Sequence, residues 1–449
     1  MKRATLLVLT IAASLALPPL SSAGEGFALA FDAKHGFDSS NFPKLVSTLV
    51  AAGFQVKDIN SLEGLECDVL LIMGYKAPLS EGEAGELEDL VMSGKGLLII
   101  DNPQIAHVFG VELSETEYCG LLGASLCMDV LGVPATEHPV LENVRRVSFR
   151  RPKKLLNLTE SSIVVLKADK VFEDRNANYR FDKGESLEYG VPLAVVMPYS
   201  SGRLAVVSSM SFIKELIEHE NNTIFMMNLI WWLSKPSEAL KRAKAVESMI
   251  EELLASKKSV RDVGGDVNSV EHLTSSLNSS LSAALLLISE GEAEKAIEQL
   301  EKLEERVEKA SFFLAKLISL DSSIALFESE LLRAESLGLN TSSLKEDLMK
   351  LKELRNEAYG NWREEDYDKA SEVIDKGIRM LEELESRLKS MIEEYEKPEY
   401  RRKLVLAGIF AILAVIVVVY LIRSRREEVE VVLRPADEGT GGPPSYEGR

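Results

Sequence analysis

The densest run of potential ligand oxygens lies at residues 174 to 185, which read DRNANYRFDKGE. A twelve-residue calcium loop presents oxygens at its first, third, fifth, seventh, ninth and twelfth positions, because alternate short side chains converge while the chain wraps around one ion. Those positions hold Asp174, Asn176, Asn178, the Arg180 carbonyl, Asp182 and Glu185. Glu185 is long enough to close the shell with two oxygens, and Phe181 supplies an apolar contact. The sixth position, ordinarily Gly because the turn is sharp, is Tyr179. Positive φ is disfavoured for such a residue, so weak binding or altered geometry is expected. A polar hairpin turn is the competing reading, since Asn and Asp favour turns anyway. The expected ion is structural calcium rather than a switch.

A second set of chemical residues depends on the elements that carry it. Apolar runs predict strands at Phe27–Phe31, Phe54–Ile59, Cys67–Met73 and Leu97–Ile100. Helices are predicted between them, over Asn41–Ala52 and from Ser80 to Ser93, the latter opened by a Ser80/Glu83 capping box. Later strands are expected at Val147–Arg150, Ile163–Lys167, Leu193–Pro198 and Leu204–Ser208, with a closing helix over Asn221–Leu233. This alternation predicts an α/β domain, flavodoxin-like, with a mostly parallel sheet. Ligands of open α/β sheets sit beyond the carboxyl ends of the strands. Asp32, His35, Gly74, Tyr75, Asp101 and Asn102 fall there, a candidate ligand cleft in which loop capping by the two aspartates is the competing role. His138, within EHPV, is expected to position a turn.

The order FDAKHGFDSSNFPKLVSTLVAAGFQV, CDVLLIMG, LSEGEAGELEDLVMSGKGLLIIDNP, EHPVLENVRRVSF and SSGRLAVVSSMSF…NNTIFMMNLIWWLS resembles the class I glutamine amidotransferase-like fold. More narrowly, it resembles the non-catalytic branch seen in intraflagellar-transport proteins and in auxiliary proteins of gliding-type ABC transporters. The loop at 174–185 is similar to EF-hand and dockerin-type loops. An active class I amidotransferase carries a Cys on a strand-to-helix elbow with His and carboxylate partners. In this chain that turn reads Asp101-Asn102-Pro103-Gln104, and none of the three cysteines stands at such an elbow. Without a nucleophile beside a base, covalent catalysis has no starting point, so the resemblance implies a non-enzymatic head.

The chain has 449 residues, 52 Lys+Arg and 71 Asp+Glu, for a net charge of -19. That balance argues against nucleic-acid binding, which needs a basic face. Three cysteines build neither a disulfide scaffold nor an all-cysteine zinc site. Cys119 and Cys127 are close enough in sequence to pair, and Cys67 is expected to be a buried small hydrophobe. Residues 1–23 read as a signal peptide: Lys2 and Arg3, an apolar run, then Ser21-Ser22-Ala23. Residues 404–422 are uncharged and apolar, long enough to span a bilayer as one helix. The expected topology is a cell-membrane protein with its bulk outside and residues 423–449 as a short cytoplasmic tail. Sequons at Asn157, Asn221, Asn278 and Asn340 fit an outside location.

The expected units are therefore 24–235, the α/β head, and 236–400, an all-α helical-hairpin or coiled-coil stalk with a boundary at Pro236. Apolar stripes such as Ala296, Leu300, Leu303, Val307, Ala310, Leu314, Leu317 require a partner helix. Lys295-Ala296 and Lys369-Ala370 mark an internal duplication, similar to tetratricopeptide-like hairpins. The leading expectation is a surface protein whose head binds a ligand or partner protein, with homo-oligomerisation through the stalk open. Competing expectations are an auxiliary subunit of an ABC-type transport system and a hydrolase of glycans or amides using Asp32, His35 and His138. The chain has no G-x-x-x-x-G-K-[ST] loop, so it is not the transport ATPase itself.

Overall fold

The computed structural model describes residues 27–122 and 126–395. The segments read as signal peptide, membrane span and cytoplasmic tail lie outside the described residues. Two compact units divide the chain. One holds 27–252 with 275–307, and the other holds 253–274 with 308–395.

The first unit is built on a twelve-stranded sheet. Its parallel half runs β2 (Gln55–Ile59), β1 (Ala28–Asp32), β3 (Val69–Met73), β4 (Gly96–Ile100), β12 (Gly202–Val207). From β12 the sheet turns antiparallel through β11 (Leu187–Tyr199), β10 (Ile163–Asp174), β5 (Glu112–Leu122) and β6 (Leu126–Met128). Three short strands complete it: β7 (Val130–Pro134) and β8 (Val147–Phe149) extend from β10, and β9 (Lys153–Leu156) pairs with β5. An α/β head followed by a helical region is thus observed, but the sheet is mixed rather than mostly parallel. The antiparallel half grew where the sequence showed little. Exposed and half-buried residues break up much of β10 and the first half of β11, and only their apolar ends read as strands.

Strands β3 and β4 are buried on every residue, as expected of strands covered on both faces. Successive residues feed opposite cores. Val69, Leu71 and Met73 face one cluster with Leu45 and Leu49 of α1 (Pro43–Ala51). Leu70 and Ile72 face the other with Leu87 and Val91 of α2 (Glu81–Met92) and Ile105 of α3 (Pro103–Val108). The Ser80/Glu83 capping box is formed at the start of α2.

After the one-turn α4 (Ser211–Lys214), helix α5 runs unbroken from Asn222 to Ala255 with Pro236 inside it. The helix passes the boundary expected at Pro236 without a break. A helix-interior Pro lacks the N–H that would bond the carbonyl four residues earlier, in this helix that of Trp232. The vacancy is filled from outside the helix: Arg203 Nη1 donates to Trp232 O at 2.8 Å. Arg203, 3% exposed, also stacks its guanidinium 4.6 Å above the Trp232 ring and donates to Glu294 Oε1 at 2.7 Å. The helix is further tied to the sheet through buried Asp68, which accepts from Ala28 N at 2.8 Å, from Lys241 Nζ at 2.9 Å and from the Ser237 hydroxyl.

The helical part continues with α6 (Lys257–Asp262), α7 (Val267–Ser289), α8 (Ala293–Ser336), α9 (Ser342–Arg363) and α10 (Tyr367–Tyr395). The second unit's core joins Leu320, Ile324, Phe327 and Leu331 of α8 to Leu344, Leu348 and Leu351 of α9 and Leu381, Leu384 and Leu388 of α10. Every residue of the stripe from Ala296 to Leu317 is buried. The helix starts Ala293 and Tyr367 are 74 positions apart, as are the helix ends Ser289 and Arg363. That is the offset of the Lys-Ala pairs. By length and composition α8 is apolar enough to cross a membrane, with 44% of its most apolar window buried inside the protein.

Candidate functional site

The carboxyl end of the parallel strands is occupied by side chains already bonded to one another. Asp32 ends β1 and is 1% exposed. Its Oδ1 accepts from the backbone N–H of Lys34 at 3.0 Å and of His35 at 3.1 Å. Its Oδ2 lies 2.6 Å from His35 Nδ1. His35 is equally buried, and its Nε2 sits 3.3 Å from Glu83 Oε1 but outside hydrogen-bonding geometry. Hydrogen bonds from Lys34 and Ser80 pull the Glu83 carboxyl down to about 2. This Asp–His–Glu row resembles a proton relay in composition. Its imidazole is shut away from solvent, and the Asp32 bonds to Lys34 and His35 fix the turn after β1.

The turn after β4 does have the form of an elbow. Asp101 takes φ of 52°, a left-handed conformation that a non-Gly residue adopts at a cost of about 1–3 kcal/mol. A carboxylate therefore stands at the tip of this turn. Burial raises its pKa against the opposing pull of Lys153, whose Nζ lies 3.1 Å from Oδ1. Asn102 is fully buried. It caps α3 by accepting from Ile105 N at 3.1 Å and donates to Gly74 O at 2.9 Å. Tyr75 stands apart, 51% exposed. The structure thus joins Asp32 with His35, and Asp101 with Lys153. Next to Asp101, after β12, Ser208 Oγ is buried with no hydrogen-bond partner among the described residues. His138 takes the turn role: its Nδ1 accepts from Val140 N at 3.3 Å, and its ring meets Trp232 edge-on at 5.2 Å. Burial first, and Arg203 second, lower its pKa.

Loop 174–185 joins β10 to β11 and folds around its own acids. Asp174 accepts from Asn178 N at 3.2 Å and from Tyr179 N at 2.9 Å. Asn178 Oδ1 accepts from Arg180 N at 2.8 Å. Asp182 receives the side-chain amides of Asn176 and Asn178, which lower its pKa. Glu185 accepts from Arg175 N at 3.1 Å and from Asp182 N at 2.9 Å. Tyr179, at the position usually held by Gly, has φ of 60°: the sharp turn is made despite the side chain. Phe181 packs edge-on against Phe172 at 5.4 Å. Among the described residues, no three His, Cys, Asp or Glu side chains are gathered as a metal set. An ion in this loop would need Asn176 and Asn178 to turn their amide oxygens inward.

Sequence reasoning allowed the Cys119–Cys127 pair but did not place its hairpin beside this loop. Cys119 and Cys127 are disulfide-bonded, clipping the β5–β6 hairpin. That hairpin is joined to the loop by Cys127 N donating to Tyr179 O at 3.0 Å and by a bridge between Leu126 and Arg180. Between them lies a groove of about 440 Å³ lined by Cys127, Met128, Asp129, Arg150, Arg151 and Tyr179. Arg150 is held by Asp129 Oδ1 at 3.1 Å and by Glu215 at 2.7 Å. Arg151, at φ of 46°, donates to the Tyr179 hydroxyl at 2.7 Å and lies 4.9 Å over its ring. The Arg-Arg doublet was visible in the sequence, but its partners come from three other segments.

The helical unit holds a further buried polar cluster. Asp321 on α8 is 1% exposed and accepts from the Tyr359 hydroxyl at 2.6 Å. Its other oxygen has no hydrogen bond and lies 3.6 Å from Arg355. Burial pushes this carboxyl up to about 6.

No protein-family model and no curated protein sequence matches the chain. Among solved structures, the chain is similar over 46% of its length to the N-terminal domain of mmIFT52, covering 97% of that chain at 13% identity and a TM-score of 0.38. It is similar over 47% of its length to a ThuA-like protein from Parabacteroides merdae, covering 90% of it at 10% identity and a TM-score of 0.32. A third likeness, at 13% identity and a TM-score of 0.29, is to the exo-beta-1,4-mannosidase Op5Man5 from an Opitutaceae bacterium, covering 48% of this chain and 36% of that one. The α/β architecture of the head follows from strand order and pairing within the chain itself.

Proposed function

We propose that this chain is a non-enzymatic, single-pass surface protein whose amidotransferase-like head recognises a ligand or partner protein and whose helical part supplies spacing or a second contact surface. The observation that carries this reading is the elbow at Asp101. The turn that would present a nucleophile presents a carboxylate paired with Lys153 at 3.1 Å, and the candidate acid–base residues Asp32 and His35 are sealed at 1% exposure. Covalent catalysis needs a nucleophile beside a base, and neither is available there. Calcium in loop 174–185 fits the same reading as a structural stiffener of the strap between β10 and β11. The order of oxygens and the left-handed turn at Tyr179 support it.

Labelling of intact cells with a membrane-impermeant amine reagent tests the exposure. Lys44, whose side chain is 64% exposed, should react from outside. Protection of Lys44 until the cells are lysed would overturn the surface reading.

A further inference from the structure

We propose that the groove between the disulfide hairpin and loop 174–185 is a saccharide-binding site, with Tyr179 as the stacking platform and Arg150, Arg151 and Asp129 as the hydroxyl-reading groups. The inference rests on the reading of the head as a recognition module and assigns it a ligand class.

Two strained residues from separate segments meet at this groove. Tyr179 at φ of 60° and Arg151 at φ of 46° touch through a hydrogen bond and a stacked guanidinium. Gly would adopt either conformation without strain. Side chains held in such conformations concentrate at ligand sites, where the surrounding structure over-determines them. Both chain segments are pinned. Arg150 N donates to Ser211 Oγ at 2.7 Å, and Arg150 O accepts from Ser211 Oγ at 3.0 Å and from Ser209 Oγ at 3.3 Å. These bonds hold Arg150 and Arg151 beside the residues that follow the carboxyl end of β12, the side of the sheet where ligands of α/β folds collect.

The lining selects the ligand class. Tyr179 and Met128 are 44% and 45% exposed; Arg151 lies over one face of the Tyr179 ring, and the opposite face with Met128 is the apolar platform for the C–H face of a sugar ring. Arg150 Nη2 and Arg151 Nε and Nη2 have no partner among the described residues, so they remain free donors. Asp129 uses one oxygen for Arg150 and keeps the other as an acceptor. Donors and acceptors side by side suit hydroxyls, which are both. An anion is disfavoured, because Asp129, Glu215 and Glu117 already face the two guanidinium groups. The groove is open to solvent along its length, so a sugar would lie along it with one face in water.

The test is titration calorimetry of the full chain with maltotriose, cellotriose, mannotriose and chitotriose, each in turn, followed by the variants Tyr179→Gly and Arg150→Ala. At least one trisaccharide should bind saturably, and each variant should weaken it by about tenfold or more. In Tyr179→Gly, relief of the positive-φ strain offsets the lost Arg151 contacts, and a thermal melt of each variant separates loss of binding from loss of fold. Saturable binding that both variants leave unchanged overturns the proposal. So does silence of all four sugars; if a protein partner is still retained by the chain, the recognition reading stands and only the sugar assignment falls. Hydrolysis of a bound trisaccharide would instead overturn the non-enzymatic reading while leaving the groove as the sugar site.

Discussion

Arg203 stands in for a backbone N–H that Pro236 cannot supply, and this makes a sharp double-mutant experiment. Arg203→Ala removes the bond to Trp232 O at 2.8 Å, the two-pronged bonding to Glu294, the bond to Gly291 O at 3.4 Å and the stacking on Trp232 at 4.6 Å. A buried carbonyl left unpaired costs about 1–3 kcal/mol and a lost hydrogen bond to a charged group about 1.5–3 kcal/mol. A desolvated cation–π contact adds about 1–2 kcal/mol. The expected loss is about 4 kcal/mol or more. Pro236→Ala restores an N–H aimed at the same carbonyl. In the parent that acceptor is already served, so the new N–H adds little; beside Arg203→Ala it rescues the orphan. The coupling between the two changes should be about 1–2 kcal/mol in the direction of rescue. Denaturant unfolding followed by tryptophan fluorescence reads it, since Trp231 and Trp232 sit at the junction. Additivity within about 0.5 kcal/mol would refute the claim that Arg203 replaces the missing helix bond.

Three further outcomes are expected. Asp321 holds a proton in the folded chain between its ordinary 3.8 and about 6, where the unfolded chain has released it. Stability of the helical unit should therefore fall by about 3 kcal/mol as pH rises through that window. Hydrogen exchange along α8 and α9 should show the fall, and Asp321→Asn should abolish it; an equal slope in the variant contradicts the assignment. Calcium should bind the full chain with an affinity of about 10⁻⁴–10⁻³ M and be lost in Asp174→Ala; absence of calorimetric heat and of any chelator effect on melting rejects the ion. Reduction of Cys119–Cys127 should lower stability by about 2–3 kcal/mol and speed exchange in loop 174–185, whose Tyr179 carbonyl is bonded to Cys127 N. Unchanged exchange in the loop would show that the hairpin does not brace it.

The parallel half of the head was legible because its signal is local. Continuous apolar runs at Val69–Met73 and Gly96–Ile100, the Ser80 capping box and the turn at Asp101 each depend on neighbours in sequence. The antiparallel half was largely hidden. β5 mixes Glu112, Ser114, Glu115 and Thr116 with Tyr118 and Cys119, and its pairing with β10 and β9 is decided by distant segments. The same holds for Pro236. Its local meaning is a helix break, yet a guanidinium from β12 overrides it. Asp32 and Asp101 do lie at the carboxyl ends of β1 and β4, but burial of Asp32, His35 and Asn102 could not be read from their types. The groove residues Arg150, Arg151 and Asp129 were missed because only tertiary pairing gathers them around Tyr179.

The most direct measurement is a turnover assay on the full chain with amide and glycoside substrates, comparing the parent with Asp101→Ala and His35→Ala. The account predicts no product above the uncatalysed background for any of the three. Turnover by the parent that either substitution abolishes would show that the elbow and the Asp32–His35 pair perform chemistry, and would contradict the central claim.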